Sequence, residues 1–414
     1  MKSYKIIGNM TGNSMDASDL VLTEFDENCF KDICAYSKPY TKDIRLKIEK
    51  LRIAAFNQTK RAIESLDDFK NIHDEYVQHT ASAINEMCEK YNINKRSIDA
   101  IGFHGKTLDH YPPSKALINK NQPYTLQIGS GKMLADLTNI PVVYDFRSDF
   151  IFQNLEGAPL IGPHNAHIAT VEGDAIYYNG GNTSNFAIIK NGQLIISSDA
   201  GPCNEYIDSC MRLFYQIPYD KDGTISQKGK LNPNFLQELF NIGRSFYQTP
   251  LVKSGDPAYY RTNDIFKSDI FKKTRLEDAV RTFAYFAPYI AVYTLSMVPP
   301  NIDLPENIIF FGGGWKNPLI KADFENLITA KGFILEEHKN AFHSLKNRFK
   351  KTPSCKYSSF GTYMEARLMA DLAYFKLQNK PWMNNIVCGI IARPQKNRCF
   401  YDDYINRAAK GWST

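Results

Sequence analysis

Asp199 stands just beyond an apolar run, Leu194 to Ile196, and is followed by Ala200, Gly201 and Pro202, which suit a tight turn before a helix beginning near Asn204. A carboxylate so placed can take a proton from a hydroxyl or a water during in-line phosphoryl transfer. An acid that merely favours a helix dipole would read the same way. The second candidate is the polar, glycine-bearing stretch from Gly8 to Asp19. Gly8 and Gly12 let the main chain approach a ligand, Thr11, Asn13 and Ser14 add neutral donors, and Asp16 and Asp19 can orient a hydrated cation or a hydroxyl. With Met15 among them, these residues suit a phosphate-binding loop. They also suit an ordinary long hairpin loop.

Gly312, Gly313 and Gly314 follow a buried-looking strand and would let a flat ring such as adenosine lie against main chain. His104 reads as part of a sugar or substrate pocket or as a satisfied structural histidine. Asp145 and Arg147 could serve substrate hydroxyls and a substrate carboxylate, which the arginine fork matches at two points, or form an internal ion pair. Gly105-Lys106-Thr107 looks like the tail of a Walker loop, but the required earlier glycine falls at Ala100, so it is set aside. Charge on a transferred phosphoryl group must be neutralised, so Mg²⁺ is expected, with Asp16 as its protein ligand.

These residues need elements to place them. Ile6-Ile7 and Leu20 to Leu22 flank the first loop and predict a β-hairpin spanning Gly8 to Asp19, with a third strand at Ile33 to Tyr36. Helices are predicted at Asp43 to Leu51 and within Ile63 to Tyr91. Strands at Ile98 to Phe103, Leu126 to Ile128 and Pro141 to Tyr144 each deliver a polar or glycine turn, where open α/β sheets put ligands. The order β-β-β-α-β-α-β results. After a Gly/Pro-rich loop, Glu156 to His164, the plan restarts. Ala175 to Tyr178, Phe186 to Ile189 and Leu194 to Ile196 are three strands, the first two joined by a turn containing Gly180 and Gly181. Helices follow at Asn204 to Tyr215, Asn232 to Phe240 and Leu276 to Met297. A strand at Glu306 to Phe311 precedes the triple glycine, and Phe360 to Leu377 is a last long helix carrying Glu365. Two hairpin loops of similar build would grip one nucleotide from both sides. The domains expected are 1–165 and 166–414, the last helix packing back on the first.

The 414 residues suit two domains. A net charge of +6, from 50 basic and 44 acidic residues, is too mild to argue for nucleic acid. Eight cysteines without a paired or finger-like spacing indicate neither a zinc site nor a disulfide framework, and reduced thiols fit a cytoplasm. No stretch approaches the roughly 20 apolar residues that cross a bilayer, so no membrane is expected.

Gly12-Asn-Ser-Met-Asp-Ala-Ser-Asp19, Phe103-His-Gly-Lys-Thr107, Thr125-Leu-Gln-Ile-Gly129, Pro141-Val-Val-Tyr-Asp-Phe-Arg147, Gly157-Ala-Pro-Leu160, Asp199-Ala-Gly-Pro202, Phe311-Gly-Gly-Gly314 and Tyr363-Met-Glu-Ala366 occur in that order. In these motifs the chain resembles the anhydro-N-acetylmuramic acid kinases over nearly its whole length. The resemblance implies a two-domain, internally duplicated α/β fold of the actin/hexokinase (ribonuclease H-like) kind, with ATP and Mg²⁺. It implies hydrolytic opening of a 1,6-anhydro amino sugar, with phosphorylation of O6 to give N-acetylmuramic acid 6-phosphate. Asp199 would then be the base for the attacking water, and Gly12 to Asp19 would bind the ATP phosphates. Glu365 and Asp145 to Arg147 would belong to the sugar site, and a homodimer is possible. The chain departs from the family pattern at Asn13, Ala17 and Cys203, and in Lys253 to Asp256, where the family arginine has no counterpart unless Arg261 substitutes. Cys203 puts a side chain where main chain is expected to approach phosphate. These departures motivate a second reading, a diverged relative that binds nucleotide or sugar as a sensor or phosphorylates another sugar.

Overall fold

The computed structural model describes residues 3–12, 15–26, 29–57, 68–113, 122–255, 260, 262–361, 363–395 and 401–410. The chain divides into two compact units, residues 1–164 with 363–414, and residues 165–362. Each has its own core.

The first unit is built on a sheet in the order β13-β7-β4-β1-β2-β3. The strands are β1 (Tyr4–Thr11), β2 (Ala17–Phe25), β3 (Phe30–Pro39), β4 (Ala100–Phe103), β7 (Val142–Tyr144) and β13 (Ile390–Ala392). β1, β2 and β3 form an antiparallel meander, and β4 and β7 continue it in parallel from β1. All four residues of β4 are buried, as a central parallel strand requires, whereas edge strand β3 alternates. Helices α1 (Lys42–Asn57) and α2 (Phe69–Lys90) follow the meander. In α2, Ile72, Tyr76, Ala83 and Met87 are buried at helical spacing.

In the second unit the sheet runs β10-β9-β8-β11-β12, from β8 (Ala175–Gly180), β9 (Thr183–Lys190), β10 (Gln193–Pro202), β11 (Asn307–Phe311) and β12 (Ser354–Tyr357). Again three antiparallel strands lead, and two parallel ones follow from the first. Its core is dominated by a helix, Leu276–Ser296, buried on nearly every face. The same three-plus-two plan occurs twice, which is the duplicated ribonuclease H-like arrangement of the actin/hexokinase fold. No helix among the described residues is long and apolar enough to cross a membrane.

Three expectations need correction. The first hairpin loop is only Gly12 to Asp16, because β1 continues through Thr11. Asn9 and Thr11 look like loop residues, but their side chains are buried: Asn9 Nδ2 donates to Ser18 Oγ at 2.8 Å while its Oδ1 has no hydrogen-bond partner among the described residues, and Thr11 Oγ1 meets Tyr40 Oη at 2.9 Å. Leu126 to Ile128 belongs to β6 (Tyr124–Ile128), which pairs with β5 (Lys106–Tyr111) in a separate two-stranded sheet outside the main one. The predicted strand order fails there because β5 follows β4 after only His104 and Gly105. Finally, β10 extends through Pro202, so Asp199 lies within a strand opposite Asn185, beside a bulge, and not in a turn after it.

The last long helix, α3 (Met364–Leu377), packs on β1, β2 and β4 of the first unit. Its backbone comes so close that a Cβ on Gly8 would sit 1.8 Å from the Ala366 carbonyl oxygen, and one on Gly102 would sit 1.9 Å from that of Met369. Gly8 therefore makes room for this helix and not for a ligand. Arg367 pairs with Asp32, and Asp371 accepts from buried His164 at 2.8 Å, fixing the helix in register.

Candidate functional site

In the first unit, Gly12, His104, Lys106, Arg147 and Glu365 are brought together from four separate stretches. The Gly12 carbonyl accepts from the Met15 backbone at 3.2 Å and from Lys106 Nζ at 3.0 Å. Met15 takes a left-handed conformation, with φ 55°, and buries its side chain. Lys106 is itself buried, and burial pushes its pKa down to about 8, helped by the like charge of Arg52 and opposed by Glu49 and Glu365. The lysine set aside as a Walker imitation thus ties the hairpin loop to the strand after His104.

His104 Nδ1 donates to the Gly105 carbonyl at 3.0 Å, while Nε2 accepts from Arg147 Nε at 3.1 Å. The imidazole is therefore neutral, with its proton on Nδ1. Burial first, then the guanidinium, pushes its pKa down to about 3. Arg147 Nη1 also donates to the Gly157 carbonyl at 2.6 Å, so the guanidinium is aimed by two fixed acceptors. Glu365 is solvent-accessible and lies within electrostatic range of Asp19, Lys106 and Arg147. Desolvation of its carboxylate by the surrounding groups, and then the charge of Asp19, raises its pKa against the two cations.

Asp145 behaves differently from its sequence neighbour. Its carboxylate is buried and accepts from Arg407 Nε at 2.7 Å and Ser148 Oγ at 2.5 Å. The ion pair is with Arg407, so this carboxylate is committed to Arg407 and Ser148. Asp19 accepts from Ser37 Oγ, and burial raises its pKa. Asp16 is well exposed, 3.9 Å from Arg45. Among the described residues no three His, Cys, Asp or Glu side chains gather as a metal cage. Asp16 and Asp19 are the carboxylates at this loop that could hold a Mg²⁺ together with phosphate and water. Asn13 and Ser14 lie outside the described residues.

In the second unit, Asp199 is buried on β10. Its Oδ2 accepts from the Gly255 backbone at 2.6 Å, and its own N–H donates to the Lys253 carbonyl at 3.0 Å. Lys253, also buried, donates from Nζ to the Tyr247 carbonyl at 2.8 Å and that of Phe246 at 3.2 Å. Its pKa is lowered to about 8 by burial, with Asp199 opposing. The 253–255 segment is therefore a clamp on the carboxylate. Asp256 and Arg261 lie outside the described residues.

The glycines divide by what surrounds them. The turn after β8 meets the turn after β11: a Cβ on Gly312 would lie 2.7 Å from the Gly180 carbonyl oxygen, and one on Gly314 would lie 2.5 Å from Cys203 Sγ. Gly180 faces Trp315 and Gly201 faces Ile290, so these four glycines serve packing. Gly313 has nothing within 4 Å, and Gly181 only Thr183 and Asn179 at 3.6 Å or more. Those two are the positions open to a ligand. Cys203 was expected to crowd phosphate, but its side chain is 2% exposed and belongs to the core. Its backbone N–H donates to the Asn182 carbonyl at 2.7 Å and that of Asn204 to Gly181 at 3.1 Å, seating the second hairpin on the helix that follows β10.

Lys106, Lys253 and Arg407 are the contributors that reading the sequence missed. A lysine directly after a strand-ending His-Gly was the available signal for Lys106, whereas Arg407 acts over a separation of 262 residues and offers none.

Comparison with known proteins gives the same direction. A family model described as anhydro-N-acetylmuramic acid kinase matches residues 4–337. An anhydro-N-acetylmuramic acid kinase of Gamma-proteobacterium EBAC31A08 is 31% identical over 312 residues, covering 75% of this chain and 80% of that relative. One from Brucella canis is 28% identical over 352 residues, covering 81% and 87%. Solved structures are more distant. Component A of the Acidaminococcus fermentans (R)-2-hydroxyglutaryl-CoA dehydratase has a TM-score of 0.45 at 10% identity, covering 91% of this chain and 100% of that one. A ROK family glucokinase from Streptomyces griseus, in complex with glucose and AMPPNP, has 0.38 at 12%, covering 89% and 98%. On the extent of the family match and the identity to its relatives, the chain belongs to the anhydro-N-acetylmuramic acid kinase family.

Proposed function

We propose that the protein is an ATP-dependent kinase that opens 1,6-anhydro-N-acetylmuramic acid with water and phosphorylates the freed O6, giving N-acetylmuramic acid 6-phosphate in cell-wall sugar recycling. The observation that carries this reading, beyond family membership, is the buried Asp199 held at 2.6 Å by the Gly255 N–H. A carboxylate fixed in one orientation can remove a proton from water as its oxygen bonds to the anomeric carbon. The C1–O6 bond breaks, O6 takes the γ-phosphoryl group, and ADP leaves.

In this reading Gly12 to Asp19, Gly181 and Gly313 contact the nucleotide. Arg147, aimed by neutral His104, takes the sugar's carboxylate, and Glu365 accepts from a sugar hydroxyl. Mg²⁺, when bound near Asp16 and Asp19, would neutralise phosphate charge. Lys106 holds the loop, and Lys253 holds the clamp on the base. The inward-facing Cys203 side chain weighs against one of the two motives for the sensor reading, the altered loops being the other. A cytoplasmic setting and a homodimer complete the proposal, the latter checked by light scattering on the purified chain.

The test is turnover with ATP and anhydro-N-acetylmuramic acid in H₂¹⁸O. Sugar-dependent ADP release, with label at the anomeric oxygen and phosphate on O6, is the expected result. ADP release without sugar, or a phosphorylated sugar lacking label, would sink it.

A further inference from the structure

The C-terminal segment after Asp402 makes bonds that neither the family match, which ends at residue 337, nor the proposed chemistry accounts for. Asn406 lies along β6 in both directions: its Oδ1 accepts from Gln127 N at 2.9 Å, and its N donates to the Gln127 carbonyl at 3.2 Å. Gly129 N donates to the Tyr404 carbonyl at 3.1 Å, and Asp403 accepts from Lys132 N at 3.0 Å. The segment then reaches the turn after β7. Ser148 Oγ accepts from Asn406 Nδ2 at 3.0 Å and Ala408 N at 2.9 Å. Arg407 contacts Asp145 through Nε at 2.7 Å and its own N–H at 3.0 Å, and grips Asp149 with both Nη atoms at 2.9 Å.

Asp145 has φ 59°, a left-handed conformation that a non-glycine residue keeps only when its surroundings hold it. Here the holders are Ser148 and Arg407. Arg147 lies between Asp145 and Ser148, and the direction of its side chain follows from that turn. We propose that Arg407 is a positioning residue for the sugar site: it locks the Asp145 turn so that Arg147 stays aimed from His104 and Gly157. The inference rests on Arg147 serving the sugar, as in the function proposed above. The carboxylate assigned to substrate by its sequence position is thereby assigned to the strap.

The experiment compares the native full-length chain with Arg407→Ala and Arg407→Lys, measuring KM for the anhydro sugar and for ATP separately, with melting temperature alongside. Arg407→Ala should raise the sugar KM by about tenfold or more while the ATP KM stays within about twofold, since only one substrate's contacts are loosened. Millimolar ethylguanidinium, which can refill the Asp145–Asp149 site, should bring the sugar KM back toward native. A sugar KM unchanged within about twofold, or a fall in kcat alone that tracks the folded fraction, overturns the proposal. Should the alanine variant not fold, Arg407→Lys keeps the charge but loses the two-point grip, and decides by the same split in KM. If the native chain shows no sugar-dependent turnover, the functional reading fails separately. Hydrogen exchange then decides: faster exchange at 144–157 in the variant, with 165–362 unchanged, supports the lock, and equal exchange overturns it.

Discussion

Single side chains do most of the chemistry proposed here. Asp199→Asn keeps the shape of the Gly255 contact but loses the proton acceptor. Turnover should fall by about 10³-fold with little change in ATP affinity, and near-native turnover would remove Asp199 from the mechanism. His104 supplies a pH signature. Its folded pKa, about 3, lies below the ordinary 6.5. Between those values the unfolded chain binds a proton that the folded chain does not, so stability rises with pH across the window and is lost on acidification through it. His104→Gln, which can still accept from Arg147, should flatten that slope, removing on the order of 4 kcal/mol of pH dependence between pH 3 and 6.5. Urea melts of both proteins at pH 4 and 7 check this, and identical slopes would show that the imidazole is not held neutral.

Among elements, the decisive contact is α3 against the glycines of β1 and β4. A Cβ at Gly8 meets a backbone oxygen at 1.8 Å, which no rotamer change relieves. Gly8→Ala must push the helix off the sheet, and with it Glu365, at a cost of about 3 kcal/mol or more. Gly313 is the contrast, since its Cβ would meet nothing within 4 Å. Gly313→Ala should stay within about 0.5 kcal/mol of native stability yet raise the KM for ATP several-fold. Thermal melts and ATP titrations on the two variants separate packing glycines from ligand-facing ones. A large loss of stability in Gly313→Ala, or none in Gly8→Ala, would contradict the assignment.

For the molecule as a whole, each unit carries its own core and its own share of the polar side chains invoked, so ligand binding should register as added stability. A non-hydrolysable ATP analogue at 100 times its Kd should contribute about 2.7 kcal/mol, read as a rise in melting temperature. The shift should persist in Asp199→Asn, because that change touches the base and not the glycine turns. Absence of any nucleotide-dependent shift in the native chain would count against the kinase assignment.

Local pattern alone determined a good deal: paired meanders with polar turns, the helix periodicity of α2, the glycine run after β11, and the identity of Asp199 as the acid to examine. Such features arise from neighbouring residues, whose alternation and turn chemistry are written along the chain. Folding in three dimensions decided the rest. It made Asn9 and Thr11 strand residues by burying their partners, and it gave Asp145 to Arg407. It turned Cys203 into the core and set Lys106 on the hairpin loop. Those outcomes depend on contacts between residues far apart in sequence, where packing and hydrogen-bond satisfaction, not local preference, choose the partner.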